Sequence, residues 1–478
     1  MILKSNNRDF FVLLSGRLLQ VLVVLLTLRV STTVLPKSEL GTIYYLITLH
    51  TFYSLFFINP VGQYFNRNTI YWYNKGDIIF CFKRQFFYIT SIAITAIITL
   101  NLIKYFGVIN LSGKTLLVIG MLIVSQSTNQ TIIPLINMIG KREAFVSLNL
   151  LTAILSLFLS FCMIYYFEEK AEYWLSGMII SNILVSLFAF KYLSMISKRT
   201  MPISDARKNL IHELSSLFKV IKFSVPIGIA TLFMWYLNSG YRIQVENHYG
   251  LVYLALIGVG LSISNQVFNI VESVLTQYMI PGLYKSIEGA NKDEVRIIYS
   301  NYLNSIIPIY LAVAIFLSFS IKNLLPFLVN ESFSSGYAII IFGAWIEFTR
   351  VVTNALALAS QIERKTGSFI PAYLLGATSL IASFKFFPND ASLICVKLLI
   401  ANIVVVIFMA IMMKKIINFH FYFSRLLKVT IYISPSVVFF YYVNSMSGLD
   451  FNNFIFSSIG CFLFLLFLYY YWISILKK

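Results

Sequence analysis

Apolar residues run along this chain in blocks of about 19 to 29, separated by short polar turns, and they do not alternate with period two. A helix rises 1.5 Å per residue, so about 20 such residues cross the roughly 30 Å of hydrocarbon in a bilayer. The blocks predict about fourteen spanning helices, near 9–33, 41–64, 82–105, 114–138, 143–167, 172–195, 218–240, 251–278, 299–326, 332–360, 367–388, 391–416, 425–443 and 452–476. A membrane β-barrel would show alternating segments of about ten residues instead, and none is present. The first block lacks a small-residue cleavage site and is followed at once by others, so it reads as a retained span. The expected fold is an all-α integral membrane protein.

Composition strengthens this reading. The 478 residues are 58% hydrophobic and 12% charged, against about 25% charged in a soluble domain. The net charge of +18 would suggest nucleic acid in a soluble protein, but here it is spread over short loops, where it sets topology. With the N-terminus inside, inner segments hold roughly 26 of the 37 Lys and Arg, against about 7 outside and about 4 within spans. An even number of spans then leaves both termini in the cytoplasm. Cys81, Cys162, Cys395 and Cys461 lie in or beside spans at no metal-ligand spacing, and His50, His212, His248 and His420 are scattered. No metal site, phosphate-binding glycine loop or nucleophile elbow is suggested, so the chain does not read as an enzyme. The run Glu168, Glu169, Lys170 and Glu172 reads as a solvated outer loop.

The longest inner linker, 196–217, separates six spans from the next six. The expected domains are an N-lobe at 1–195, an amphipathic linker at 196–217, a C-lobe at 218–416, and two extra spans at 417–478. Within the linker, Leu210, Ile211, Leu214 and Leu217 fall at helical spacing among basic residues, which suits a helix lying on the inner membrane surface. Two features recur at similar offsets. Gly41-x-x-Tyr44 returns as Gly250-x-x-Tyr253, each shortly after an arginine, Arg29 or Arg242, and the basic turn Lys141, Arg142 returns as Arg364, Lys365. Offsets of 209, 213 and 223 residues fit diverged copies of one six-span unit.

An ionised side chain at mid-bilayer costs upwards of about 2.5 kcal/mol, so each needs a partner or an aqueous cavity. Arg17 and Arg29 in the first span, Glu272 in the eighth, Glu347 and Arg350 in the tenth and Lys397 in the twelfth are such residues. Arg17 lies about 12 Å inside its span by helix rise, and it either lines a cavity or forms a structural ion pair. Glu347 and Arg350, three apart, either neutralise each other or part company, with Glu347 titrating as a coupling site and Arg350 meeting substrate. Glu272 has no partner nearby in sequence and is the other candidate for coupling to a proton or sodium gradient. Trp235, Asn238 and Arg242 fall at i, i+3 and i+7, a stripe that would hold a sugar against a ring and an anion against a guanidinium. The polar run Ser125 to Thr131, which includes Gln126 and Asn129, is matched in the tenth span by Thr349, Arg350, Thr353 and Asn354. Such runs line water or join helices.

The opening residues Gly16, Arg17 and Arg29 with Val34-Leu35-Pro36-Lys37-Ser38-Glu39-Leu40-Gly41-Thr42-Ile43-Tyr44 resemble bacterial polysaccharide transporters, the Wzx-like O-antigen flippases of the multidrug/oligosaccharidyl-lipid/polysaccharide (MOP) superfamily. Phe223-Ser224-Val225-Pro226, Trp235, Arg242, Gly250 and Tyr253 resemble the start of their second half. The resemblance implies two six-helix lobes around a central cationic cavity in the inner membrane. It implies flipping of an undecaprenyl-diphosphate-linked oligosaccharide by alternating access, with no cofactor, and with membrane lipids, a polysaccharide polymerase and chain-length machinery as partners and no nucleic acid. Family members often carry an acidic residue just before the seventh-span arginine, where this chain has Tyr241. The residues expected to meet substrate are Arg17, Arg29, Gln126, Asn129, Trp235, Asn238, Arg242, Arg350 and Asn354. Two other readings remain open at this stage: a drug or organic-cation exporter of the same superfamily, and a membrane-embedded O-antigen polymerase or ligase.

Overall fold

A lipid-facing backbone must bond all its N–H and C=O groups internally, which apolar sequence of this length achieves only as helix or closed barrel. The computed structural model shows helix throughout. It describes residues 7–107, 109, 111–197, 210–363, 365–388, 390–445 and 451–476. Helix α1 is Asn7–Val34, α2 Lys37–Tyr53, α3 Asn59–Lys75, α4 Ile78–Tyr105, α5 Gly113–Met138, α6 Arg142–Tyr166 and α7 Ala171–Ser197. They are followed by α8 Leu210–Trp235, α9 Tyr241–Ile287, α10 Lys292–Leu328, α11 Tyr337–Ile362, α12 Ile370–Phe386, α13 Ile394–Ile416, α14 Phe423–Ser445 and α15 Phe451–Leu476. Each of the fourteen expected spans has its counterpart, α2 and α3 together forming the second. Among the described residues, twelve segments are long and apolar enough to cross a membrane. The chain is a multi-pass membrane protein.

Among the described residues, two of the spans contain a π-turn. A π-turn at Ser54–Ile58 joins α2 to α3, and a second at Tyr236–Gly240 joins α8 to α9. Helix α9 itself bends at Gly250, whose φ of +77° is strained for any residue with a Cβ. Of the expected linker, 198–209 lies outside the described residues, and the sequence from Leu210 onward is already helical in α8.

The chain forms two compact units, Met1–Ala255 and Leu256–Lys478. In the first, α7 packs on α5 and α6. Gly177 lets two of these backbones meet, since a Cβ there would stand 2.3 Å from the Ser160 nitrogen. An apolar core of Ile78, Phe82, Ile132, Ile136, Val185 and Leu193 joins α4, α5 and α7. Glu39 accepts a hydrogen bond from the Ala171 amide at the start of α7 (2.8 Å), a favourable place for a carboxylate. Nearby, the hydrogen-bonded ion pair with Lys170 holds the exposed Glu168 carboxyl below its ordinary range and raises the Lys170 ammonium.

In the second unit α11 packs on α10 and α13, and α14 on α10 and α15. Asn304 of α10, fully buried, accepts from the Tyr422 amide and donates to the His420 carbonyl, both at 2.7 Å. That clasp fixes the turn between α13 and α14.

Candidate functional site

The charged residues expected in the eighth and tenth spans are brought together inside the second unit. Gly343 on α11 admits Ser264 of α9, whose Oγ lies 2.6 Å from where a Cβ would stand and donates to the Ile340 carbonyl at 2.9 Å. With the two helices this close, Asn265, Asn269 and Glu272 on α9, spaced i, i+4 and i+7, face Glu347, Arg350 and Asn354 on α11, spaced i, i+3 and i+7. Arg350 lies 13 residues, about 20 Å, into α11.

Arg350 is the hub. Its Nε donates to Glu347 Oε2 at 2.5 Å, its Nη1 to Glu272 Oε2 at 3.0 Å, and its Nη2 to Asn269 Oδ1 at 3.0 Å. The second oxygens of the carboxylates are also bonded: Asn354 Nδ2 donates to Glu272 Oε1 at 2.8 Å, and Asn265 Nδ2 to Glu347 Oε1 at 3.0 Å. Asn269 Nδ2 donates to Asn265 Oδ1 at 2.7 Å, closing a ring from Arg350 through Glu347, Asn265 and Asn269 back to Arg350. The three charged side chains are 11 to 19% exposed, and the buried rings of Tyr302, Tyr310 and Tyr373 stand within electrostatic reach of Glu272. Ion pairs this sheltered persist only when their remaining donors and acceptors are met. With both carboxylates ionised, the cluster carries one negative charge in excess.

The expected residues of the first unit are placed differently. Trp235 and Arg242 both meet α2, while Asn238, inside the π-turn at Tyr236–Gly240, does not join them in one stripe. Trp235 is buried, donates its Nε1 to the Thr48 carbonyl at 3.1 Å and meets the Phe52 ring edge-on at 4.9 Å. Asn238 is exposed. The Arg242 guanidinium lies over the Tyr44 ring at 5.3 Å, and its Nε is buried without a hydrogen-bond partner. Thus α2 presents Tyr44, Thr48 and Phe52, at i, i+4 and i+8, to Trp235 and Arg242. Arg17 donates to Gln20 on its own helix at 3.0 Å, and the neighbouring Gly16 seats α1 against Val146. Arg29 is half-buried in the last turns of α1. Asn129 is buried and donates to Thr152 Oγ1 at 3.4 Å, while Gln126 is half-buried. Lys397 is buried with its ammonium over the Phe384 ring at 5.0 Å.

Asn265 and Asn269 were not among the expected residues. Their signal is present as a polar stripe on α9 matching one on α11, but single amides are common in spans and nothing in one dimension pairs those two helices.

The architecture has solved counterparts. The lipid II flippase MurJ in an inward closed conformation matches with a TM-score of 0.69 at 13% identity, over 98% of this chain and 100% of that one. At this identity the likeness is one of fold. An inward-facing multidrug resistance MATE family transporter of the MOP superfamily matches at 0.59 and 13% identity, over 84% of this chain and 94% of that one. An outward-facing one matches at 0.54 and 12% identity, over 85% and 94%. No family model and no curated protein matches the sequence.

Proposed function

We propose that this protein flips a polyprenyl-diphosphate-linked oligosaccharide from the inner to the outer leaflet of the cytoplasmic membrane, with both termini in the cytoplasm, and delivers it to a polysaccharide polymerase and its chain-length machinery. The observation that carries the reading is the extent of the fold match. The lipid II flippase covers nearly the whole chain, C-terminal helices included, where the two multidrug transporters cover 84 and 85%.

The chemistry is consistent with it. A diphosphate cannot cross hydrocarbon bare, while its prenyl chain gains nothing by leaving, so a flippase must offer basic groups at membrane depth. Arg17, Arg29 and Arg242 are the groups assigned to the diphosphate, since a guanidinium donates two parallel bonds to a phosphate. Arg350 is held by its own carboxylates, so its proposed role is in coupling. A proton or a monovalent cation joining Glu272 or Glu347 would neutralise the excess charge and loosen the hold on Arg350.

That same excess of acid favours a second reading, export of an organic cation. Proteoliposomes separate the two. Flipping of a lipid-linked oligosaccharide, read by access of an external lectin to its sugars, with no efflux of ethidium, supports the first reading. Ethidium efflux without sugar translocation replaces it with the second.

A further inference from the structure

A small polar pocket of about 90 Å³ lies inside the first unit, where the π-turn of the second span meets α3, α4 and α5. Four amides, Asn59, Asn66, Gln85 and Gln130, and three hydroxyl residues, Ser54, Ser127 and Thr131, line it, and no charged residue does. Gln85 directly follows Lys83 and Arg84 on α4, and Ser127 stands eleven residues, about 16 Å, from the end of α5. The second span keeps a fixed shape here. Thr231 of α8 donates to the Leu55 carbonyl at 2.9 Å, and Tyr88 of α4 donates to the Phe57 carbonyl at 2.9 Å. Carbonyls released by the π-turn are thereby bonded, and the turn holds its wider backbone in place.

The side chains are less well served. Gln85 is 1% exposed and Ser127 2% exposed. The Gln85 amide nitrogen donates to Thr131 Oγ1 at a long 3.4 Å, but Gln85 Oε1 and Ser127 Oγ have no partner. A buried polar atom left unpaired costs about 1–3 kcal/mol, and a polar concavity between packed helices has no packing role that apolar residues would not fill better. Resting on the flippase reading above, we infer that this pocket receives a neutral sugar substituent of the transported oligosaccharide, a hydroxyl or acetamido group.

Charge and size select that class. An anion would find no cation in the lining. A metal ion would find neutral oxygens but no carboxylate to balance it, and hard cations in protein sites draw on carboxylates. Amides and hydroxyls both donate and accept, which matches a hydroxyl or an acetamide. The volume is room for about three waters, enough for one edge of a pyranose and too little for a whole oligosaccharide.

The test uses the full-length protein in nanodiscs and two probes, undecaprenyl diphosphate bare and carrying one N-acetylglucosamine. Wild type should bind the glycosylated lipid up to about tenfold more tightly, the worth of one or two neutral hydrogen bonds. The double variant Gln85→Leu/Ser127→Ala should bind both lipids with the bare-lipid affinity. Its fold should hold, because apolar replacement removes the unpaired atoms. Gln130→Ala, at an exposed position, serves as the second variant and should lose part of the preference. Equal binding of both lipids by wild type, or a preference that survives in the double variant, overturns the assignment. Wild type that binds neither lipid sinks the flippase reading, and the pocket is then judged by free N-acetylglucosamine: saturable binding lost in the double variant supports it, and no binding overturns it. Sodium binding that depends on Gln85 also overturns it in favour of a cation site.

Discussion

The polar groups of the two units solve the same problem in opposite ways. Between α9 and α11, three charged and three amide side chains bond one another so completely that both oxygens of each carboxylate are engaged. The pocket between α3, α4 and α5 is lined by no charged residue, and Gln85 Oε1 and Ser127 Oγ are left unpaired. Charges inside a membrane are too costly to leave unpaired, and here they are held in a closed circuit. Neutral amides cost less when unpaired and can wait for a ligand. The first arrangement suits coupling, and the second suits recognition.

The largest effect should come from opening the closed circuit. Arg350→Ala leaves two sheltered carboxylates facing one another and should lower stability by about 3 kcal/mol, read as a fall in melting temperature of the purified protein. Adding Glu347→Gln should recover much of that loss. A stable single variant would show that Arg350 is not the hub of the cluster.

A smaller change is expected at the π-turn of the second unusual span. Trp235→Phe keeps the ring against Phe52 but strands the Thr48 carbonyl, for a cost of about 1 kcal/mol. If Trp235 instead stacks on a sugar, the Phe variant should lose substrate affinity with an unchanged melting temperature. At the other extreme, Glu168→Gln breaks an exposed pair and should leave the melting temperature unaltered, because water already screens it. A clear drop there would mean that the loop before α7 bears on the packing of that helix.

How much of this could be read beforehand follows from what each feature depends on. The spans were legible because apolar length is a local property, and so was the depth of Glu272, Glu347 and Arg350. Glu347 and Arg350 were legible as neighbours on one helix. The partnership of Glu272 with Arg350 was not, since it depends on α9 meeting α11 at Gly343 and Ser264, 79 positions apart. The π-turns have no marked sequence signature, so the stripe of Trp235, Asn238 and Arg242 was drawn on a helix that does not run unbroken. The polar run at 125–131 was visible, yet which of its members face a pocket depends on what α3 and α4 cover: Ser127, Gln130 and Thr131 line it, while Asn129 turns to Thr152.

The central claim is that the α9–α11 cluster couples an ion to movement of a lipid-linked oligosaccharide, and Glu272→Gln isolates it. The substitution removes the excess negative charge and leaves the Arg350–Glu347 pair, so the protein should fold and reconstitute normally. The decisive measurement is the rate at which an external lectin gains access to the oligosaccharide in proteoliposomes, with and without an imposed proton or sodium gradient. The account predicts that wild type responds to one of the gradients at least several-fold and that Glu272→Gln responds to neither. Equal gradient-driven rates in the two proteins would contradict it.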